Sequence, residues 1–447
     1  MPRRELSRPA AFWTVAVLLV LMLAASGVPS PLYRVYAEEF GFGSGVITVV
    51  FAVYAFALLV SLLVVGALSD HVGRRPVLAA ALVLEAVSMV LFLAADGVGW
   101  LLVARVVQGL ATGAMTGAFG AALLDLQAPA RPLGPLVNSA APGFGLSLGA
   151  VGAGLAVEFL PAPTTWVFGV LTALCLVAAV GVWVFLPESS PRLPGAAASL
   201  RPSVHVPASQ RRAFVVVLPC LVATWALGGL YASLGPSLVA GVFGQQDHVV
   251  GSLLILALNG TGLVGSLSMR GVAPARAMVL GALVFAAGVA GTVAALATGS
   301  LTAFFVAAVV SGFGFGTAFL GAMATVTAGV APGQRAALLS AVFTASYLAF
   351  SVPAIAAGIA AGHIGLERTA QVYGVVVIVL ALVAVAGLAL HARRPATSPP
   401  APSADPTDPL SARKANSTDP LSARKANSAD SLSARGAESV DSEAAPR

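Results

Sequence analysis

The sequence predicts an all-α polytopic membrane protein with twelve transmembrane helices in two parallel six-helix repeats. First, 58% of its 447 residues are hydrophobic and 9% are charged, whereas soluble domains carry about 25% charged residues. Second, apolar runs recur between residues 11 and 390, and roughly 20 apolar residues cross a bilayer. Third, these runs lack the alternation of polar and apolar residues that is typical of barrel strands.

The arginines orient the predicted spans. An even number of spans places both termini on one side, and that side collects nearly all basic residues, while Arg34 and Arg368 fall on the other. This asymmetry predicts a multi-pass protein of the cell membrane with both termini cytoplasmic. The net charge of +6 is therefore a topology signal, and no nucleic-acid partner is expected. The spans are predicted to begin near residues 12, 45, 77, 100, 135, 165, 213, 249, 277, 301, 336 and 371.

The N-terminal segment, residues 1–27, has an alternative interpretation. Its basic start, apolar stretch and small residues also resemble a secretory signal. Cleavage would leave eleven spans. An odd number would place the two termini on opposite sides of the membrane, in disagreement with the arginine distribution. We therefore expect residues 1–11 to be a cytoplasmic N-terminus that leads into a retained first span.

The two halves of the chain resemble each other. The segments "VARVVQGLATG" (103–113) and "VAAVVSGFGFG" (306–316) share six of eleven residues. A Pro-, Ser- and Arg-rich linker at 188–212 divides the spans six and six. A parallel repeat of this kind is a transporter architecture, with a site between halves that rock against each other. The predicted six-helix bundles are residues 12–187 and 213–391.

The C-terminal segment, residues 392–447, differs from the rest. The sequence "TDPLSARKANS" occurs twice, at 407–417 and 418–428, with few large apolar residues. Such a composition cannot build a core, so a disordered cytoplasmic tail is predicted.

Charge is concentrated in "GALSDHVGRRP", residues 66–76, between the second and third spans. An aspartate at a helix end favours the positive N-terminus of a neighbouring helix, and Arg74 can bond to a carboxylate. Asp125 is the acid at the same end of span four. The stretch resembles the Major Facilitator Superfamily signature Gly-x-Leu-x-Asp-Arg-x-Gly-Arg-Arg/Lys, with His71 in place of an arginine. The matching residues are Gly66, Leu68, Asp70, Gly73, Arg74 and Arg75.

This resemblance implies a twelve-helix carrier and a conformational latch. In the family, Arg74 would pair with Asp125, hold the halves together when the carrier faces outward, and release on rocking. The alternative is a basic turn that only fixes topology. The equivalent turn of the second half has Met269 at the position of Asp70, so a one-sided latch is expected.

Three polar residues within spans are candidates for proton coupling. Arg105 lies in the fourth span, where an arginine costs about 3 kcal/mol at the centre. Arg105-x-x-Gln108-Gly109 resembles the family's fourth-helix motif, which is implicated in proton coupling; snorkelling to the surface is the alternative. Glu85 lies near mid-depth of the third span and is a candidate proton site. No nucleotide-binding loop occurs, so the proton motive force, without a cofactor, is the expected energy source.

Glycines of the fifth span predict close packing of neighbouring helices. They partly resemble the antiporter signature Gly-x-x-x-Gly-Pro-x-x-Gly-Gly, but Ala150 stands in place of the proline and Ala153 in place of a glycine. Pro29 and Pro31 resemble a Pro-x-Pro pattern of twelve-helix drug exporters. Together these patterns favour export. The packing glycines are Gly145, Gly149, Gly152 and Gly154.

The family architecture implies a substrate cavity lined by spans one, four, seven and ten. A cavity with few fixed charges suits a hydrophobic or amphiphilic molecule, although each lining residue alone is more often a packing residue. The candidates are Tyr33, Gln108, Trp225 and Tyr231, with Asn138, Asn259 and Tyr347 from neighbouring helices.

We therefore expect a monomeric, proton-coupled exporter of a small hydrophobic or amphiphilic compound, such as a drug or secondary metabolite. The alternatives are a proton symporter that imports a metabolite and a non-transporting scaffold that signals through its tail. An enzyme is not expected, because the histidines and cysteines lack metal-ligand spacing and no Ser-His-Asp signature occurs.

Overall fold

The structure, a computed structural model, describes residues 5–392. Within these residues twelve segments are long and apolar enough to cross a membrane, which confirms the predicted fold class. The helix boundaries agree with the sequence to within a few residues; the largest difference is the last span, which begins at Leu366 rather than near 371. Almost all of the predicted tail lies outside the described residues. The helices are α1 (Arg8–Gly27), α2 (Pro29–Phe40), α3 (Ser44–Val65), α4 (Ser69–Val72), α5 (Arg74–Leu93), α6 (Val98–Leu126), α7 (Gly134–Phe159), α8 (Pro163–Phe185), α9 (Ala196–Ser199), α10 (Arg211–Phe243), α11 (His248–Ser268), α12 (Pro274–Thr298), α13 (Leu301–Thr327), α14 (Pro332–Ile364) and α15 (Leu366–Ala392).

The two bundles repeat the same helix packing. In the first bundle α5 packs on α6 and α8, and α3 packs on α6; in the second, α12 packs on α13 and α15, and α11 packs on α13. The pair formed by α1 and α7 has its equivalent in α10 and α14. The bundles meet where α7 packs on α11 and where α3 packs on α14. Because α11 is the equivalent of α3, and α14 is the equivalent of α7, the two interfaces are equivalent to each other, as a parallel repeat requires.

The apolar core differs between the two ends of the molecule. We call the end where α3 finishes and α5 begins the arginine-rich end, and the opposite end the far end. At the far end one continuous cluster of buried residues includes both bundles, from Tyr36 and Phe92 to Leu238 and Phe304. At the arginine-rich end each bundle has a separate cluster.

Polar contacts between the bundles follow the same division. The Arg34 guanidinium donates to Gln246 Oε1 at 2.8 Å, and the His248 main-chain N–H donates to Glu158 Oε2 at 3.5 Å. Both contacts lie at the far end. Within the described residues, hydrogen bonds thus join the bundles only there.

Glycines allow close approach between helices, with one exception to the prediction. A Cβ atom at Gly145 or Gly149 would overlap α1, and one at Gly154 would overlap Ser252 of α11. A Cβ atom at Gly152 would meet open space. Gly152 therefore takes no part in this packing, and the expectation for it is corrected.

A second glycine ridge was not anticipated. Gly109, Gly113 and Gly117 recur every fourth residue along α6, and a Cβ atom at each would overlap the main chain of α3 or of Gly66 just after it. Residues four apart share one helix face, so the spacing itself is the signal that could have predicted this contact. Close packing of α6 on α3 sets the position of Arg105 and Gln108, which lie at the start of the ridge.

Candidate functional site

Glu85, Gln108 and Arg105 form a line of hydrogen bonds inside the first bundle. The Gln108 Nε2 group donates to Glu85 Oε1 at 3.0 Å, and Gln108 Oε1 accepts from Arg105 Nη1 at 2.5 Å. A second donation, from Gln108 Nε2 to the Ala25 carbonyl at 3.0 Å, ties the line to α1. All three side chains are buried. The sequence singled them out separately, and the structure brings them together.

Aromatic rings surround the Arg105 guanidinium. Its Nε donates to the Tyr33 hydroxyl at 2.5 Å. Its central carbon lies 4.9 Å from the ring centre of Tyr54, 5.1 Å from that of Tyr33 and 5.8 Å from that of Phe92. Desolvated cation–π contacts contribute about 2 kcal/mol. Arg105 therefore lies inside the bundle and does not snorkel to the surface.

Glu85 has one unsatisfied oxygen. Its Oε1 accepts from Gln108, whereas its Oε2 is buried without a hydrogen-bond partner. An unpaired buried carboxylate oxygen is costly, and a proton at this atom would remove the charge. Glu85 is eight residues from the end of α5 and Arg105 seven from the start of α6. Both therefore lie about 10–12 Å inside the far end.

A second polar network lies at the arginine-rich end. Arg74 Nε is 3.2 Å from Asp125 Oδ2, and Arg74 Nη1 donates to Ser69 Oγ at 2.7 Å and pairs with Asp70. Gly73 precedes α5 with φ of 115°, a conformation that glycine adopts without strain. This network joins α5 to α4 and α6 within the first bundle. In this structure it does not connect the two bundles, and the expected role as a latch in an outward-facing state stays a prediction.

The other signature residues have different contacts. The Arg75 guanidinium lies over the Trp183 ring at 5.5 Å from its centre and takes no part in the Arg74 network. The Gly66 carbonyl lies against Gly117 of α6, where a side chain would overlap it.

Residues of the linker complete the Arg74 network, and sequence reasoning missed them. Glu188 Oε1 accepts from the Arg74 main-chain N–H at 2.7 Å. Ser189 Oγ donates to Asp125 Oδ2 at 3.2 Å, and Ser190 Oγ donates to the Asp70 carbonyl at 3.0 Å. A signal existed in the sequence, because Glu188 is a lone acid directly after the sixth span.

His71, the residue that departs from the family signature, also contacts the linker. Its Nδ1 lies 2.9 Å from the Leu193 carbonyl oxygen and 3.1 Å from that of Pro194. The Leu193 N–H in turn donates to the Asp70 carbonyl at 3.0 Å. His71 therefore fastens the linker to the turn between α4 and α5.

An aromatic cluster connects the bundles near the middle of the molecule. The Trp225 ring is 5.0 Å from Tyr347, 5.8 Å from Phe350 and 5.9 Å from Phe319. The Phe350 ring also packs on Phe51 of α3 in the other bundle, with 4.9 Å between the ring centres. Trp225 Nε1 is buried without a hydrogen-bond partner.

The remaining cavity candidates lie elsewhere. Tyr33 and Tyr231 are wholly buried in the far-end core, and their assignment to the substrate cavity stays a prediction. Tyr231 bonds to Thr292 at 3.0 Å. Asn259 donates to its own helix at Ile255, and Asn138 is exposed beside Gly120. In the described part of the chain no three His, Cys, Asp or Glu side chains are close enough to hold a metal ion.

Two equivalent six-helix bundles that share a core at one end, with buried charged residues inside, define a membrane carrier. Residues 15–350 match the Major Facilitator Superfamily. The chain belongs to this superfamily of transporters, which agrees with the twelve candidate membrane spans of its described residues. This confirms the resemblance seen in the signature between α3 and α5.

Relatives add detail over parts of the chain. The chain is 28% identical over 180 residues to the MFS-type transporter paaT of Penicillium rubens, covering 40% of this chain and 32% of that protein. It is 41% identical over 110 residues to the class C tetracycline resistance protein of Escherichia coli, covering 24% and 27% respectively. The chain thus spans about a third or less of the length of these relatives.

A solved structure shares the fold. It is a bacterial homologue of the human lysosomal transporter Spinster, in an inward-facing and occupied conformation. The TM-score is 0.68 at 16% identity, covering 86% of this chain and 97% of that one.

Proposed function

We propose that this protein is a proton-coupled exporter of small hydrophobic or amphiphilic compounds, drugs or secondary metabolites, that works by alternating access. The observation that carries the proposal is the unpartnered Oε2 of buried Glu85, held in line with Gln108 and Arg105. This atom is the place where a transported proton binds.

The line supports coupling because it tolerates both protonation states. With Glu85 ionised, its charge and that of Arg105 are balanced across the Gln108 amide. With Glu85 protonated, the Arg105 charge still faces the rings of Tyr33 and Tyr54. Proton binding at the unpartnered Oε2 therefore changes the electrostatic balance inside the first bundle, while Arg105 keeps its bonds to Gln108 and Tyr33.

The arginine distribution supports an orientation with the arginine-rich end in the cytoplasm of a cell-membrane protein. In that orientation the present structure is closed toward the outside, because the shared core and the Arg34–Gln246 contact lie at the far end. Compounds would then enter the carrier from the cytoplasm.

The aromatic cluster supports the substrate class. Trp225, Tyr347 and Phe350 would contact an apolar molecule that enters between the bundles, and the Trp225 N–H, which is buried without a partner in this structure, would donate to an acceptor on it. Export rather than import is supported by the similarity to a tetracycline resistance protein and by the exporter-like prolines of α2.

The test uses inside-out membrane vesicles that contain the full chain, with a proton gradient imposed across the membrane. We expect uptake of tetracycline or ethidium that depends on the gradient and collapses with an uncoupler. Glu85→Gln should abolish gradient-driven uptake but retain exchange of labelled for unlabelled compound, because the amide keeps the bond to Gln108. Glu39→Gln is the matched control, since Glu39 is exposed at the far end.

Equal gradient-driven uptake by wild type and Glu85→Gln would contradict the proton assignment. Uptake that occurs only in right-side-out vesicles would contradict export and favour import. Gradient-independent uptake by the wild type would contradict coupling to protons.

A further inference from the structure

A cavity at the arginine-rich end is separate from both polar networks. It has a volume of about 380 Å³ and lies between the start of α1, the end of α6 and the loop that leads into α7. None of its ten lining residues is acidic, and two of them, Arg8 and Arg131, are arginines. The cavity therefore favours an anion.

Both arginines are available to a ligand. Arg8 and Arg131 are exposed, and within residues 5–392 neither forms an ion pair. Arg8 donates from Nη2 to the Asp125 carbonyl at 2.7 Å, and in the described part of the chain its other N–H groups form no hydrogen bond. The Arg131 main chain is held in a tight turn by a 3.0 Å bond from its N–H to Ala128. Two arginines that line one cavity can supply paired N–H donors to a phosphate.

Apart from Gln127, the rest of the lining is apolar. Phe12, Trp13, Leu126 and Leu133 line the cavity, and Trp13 is 55% exposed, with its ring edge-on to Phe12 at 5.3 Å. Tryptophan near the end of a spanning helix prefers the headgroup level of a membrane. Basic pockets between spanning helices bind anionic lipid headgroups. A soluble anion would use the arginines but not this apolar wall.

We propose that the cavity binds an anionic phospholipid, with its phosphate between Arg8 and Arg131 and the upper part of an acyl chain against Phe12 and Trp13. The bond from Arg8 to the Asp125 main chain places this lipid next to the Arg74 network. The proposal does not depend on transport or on its direction.

The experiment measures quenching of a single tryptophan by brominated lipids. In a variant of the full chain that keeps only Trp13, the other four tryptophans are replaced by phenylalanine. The protein is placed in phosphatidylcholine vesicles that contain equal amounts of either brominated phosphatidylglycerol or brominated phosphatidylcholine. The matched control keeps only Trp166, which is also 55% exposed but lies at the far end.

We expect quenching of Trp13 to report a roughly tenfold preference for phosphatidylglycerol, because each basic contact adds to the affinity for an anionic lipid. Trp166 should be quenched equally by both lipids. The preference should fall sharply in Arg131→Gln and vanish in Arg8→Gln/Arg131→Gln. The single variant guards against a folding defect, because the Arg131 side chain makes no hydrogen bond within the described residues.

Two results would overturn the assignment. Equal quenching of Trp13 by both lipids, or a preference that survives in the double variant, would show that these arginines do not select lipid. Loss of the preference when inorganic phosphate replaces chloride at constant ionic strength would identify a site for soluble phosphate instead.

Discussion

Gln108 connects Glu85 to Arg105: its amide nitrogen donates to the carboxylate, and its amide oxygen accepts from the guanidinium. An amide has distinct donor and acceptor ends, so the glutamine fits between the two charges in one orientation. Glu85 and Arg105 are thereby coupled without direct contact. A change in the charge of one side chain therefore alters the electrostatic potential at the other.

Replacement of Gln108 by leucine is expected to remove proton-driven transport. The change leaves Glu85 Oε1 and one Arg105 N–H without partners, and each unsatisfied buried group costs about 1–3 kcal/mol. We expect gradient-driven uptake to fall at least about tenfold, with a lower thermal unfolding midpoint. Uptake and unfolding that match wild type in Gln108→Leu would contradict a role for the amide.

Replacement of Trp225 by phenylalanine tests the free indole N–H. The ring contacts with Tyr347 and Phe350 are largely kept, while the only hydrogen-bond donor of the side chain is lost. A hydrogen bond of about 0.5–1.5 kcal/mol corresponds to a two- to twelvefold weaker half-saturation for a substrate with an acceptor. The measurement is concentration-dependent uptake of tetracycline. Trp100→Phe, at the exposed start of α6, should leave it unchanged, and an equal effect of both changes would argue against a specific donor.

The helices were predictable because spanning runs are long and apolar, so their ends are marked by charge, Pro and Gly. The meeting of Glu85 with Gln108 was not predictable, because it depends on how the antiparallel helices α5 and α6 are aligned along their lengths, and the separate sequences of the two helices do not specify this alignment. The different surroundings of Gly149 and Gly152 were not predictable either. Both glycines belong to the same glycine-rich pattern, but a Cβ atom at Gly149 would overlap α1, whereas one at Gly152 would meet open space. A sequence pattern identifies the glycines that could allow close packing, but the position of the neighbouring helix determines which of these glycines it contacts.

The contacts of Glu188 and His71 were unpredictable for a different reason. Both arise because the linker folds back onto the turn after α3, and nothing in a polar, Pro-rich segment specifies its path. By contrast, the ion pair between Arg74 and Asp125 was predictable, because the sequence places these two opposite charges at the same end of neighbouring spans.

Replacement of Asp125 by asparagine is expected to loosen the start of the linker. Asp125 Oδ2 accepts from both Arg74 and Ser189, and Arg74 is buried, so its charge loses one of its two carboxylate partners. Because the Asp125 side chain is 31% exposed, we expect a loss of only about 1–2 kcal/mol of stability. Limited proteolysis in the linker should become faster. Asp96→Asn, an exposed acid at the far end, provides the comparison, and identical cleavage rates in all three proteins would rule out this function of the network.

Replacement of Gly149 by alanine is expected to destabilise the packing of α7 on α1. The new methyl group would overlap the main chain at Ala24, which cannot move like the end of a flexible side chain, and overpacking costs about 1–3 kcal/mol. The higher helix propensity of alanine offsets up to about 1 kcal/mol of this. Gly152→Ala, three residues further along the same helix, gains the same propensity and meets open space, so it should be neutral or slightly stabilising. Thermal unfolding midpoints at one scan rate, in one detergent, measure the difference. Equal midpoints for the two variants would mean that α1 and α7 do not approach as closely as this contact requires.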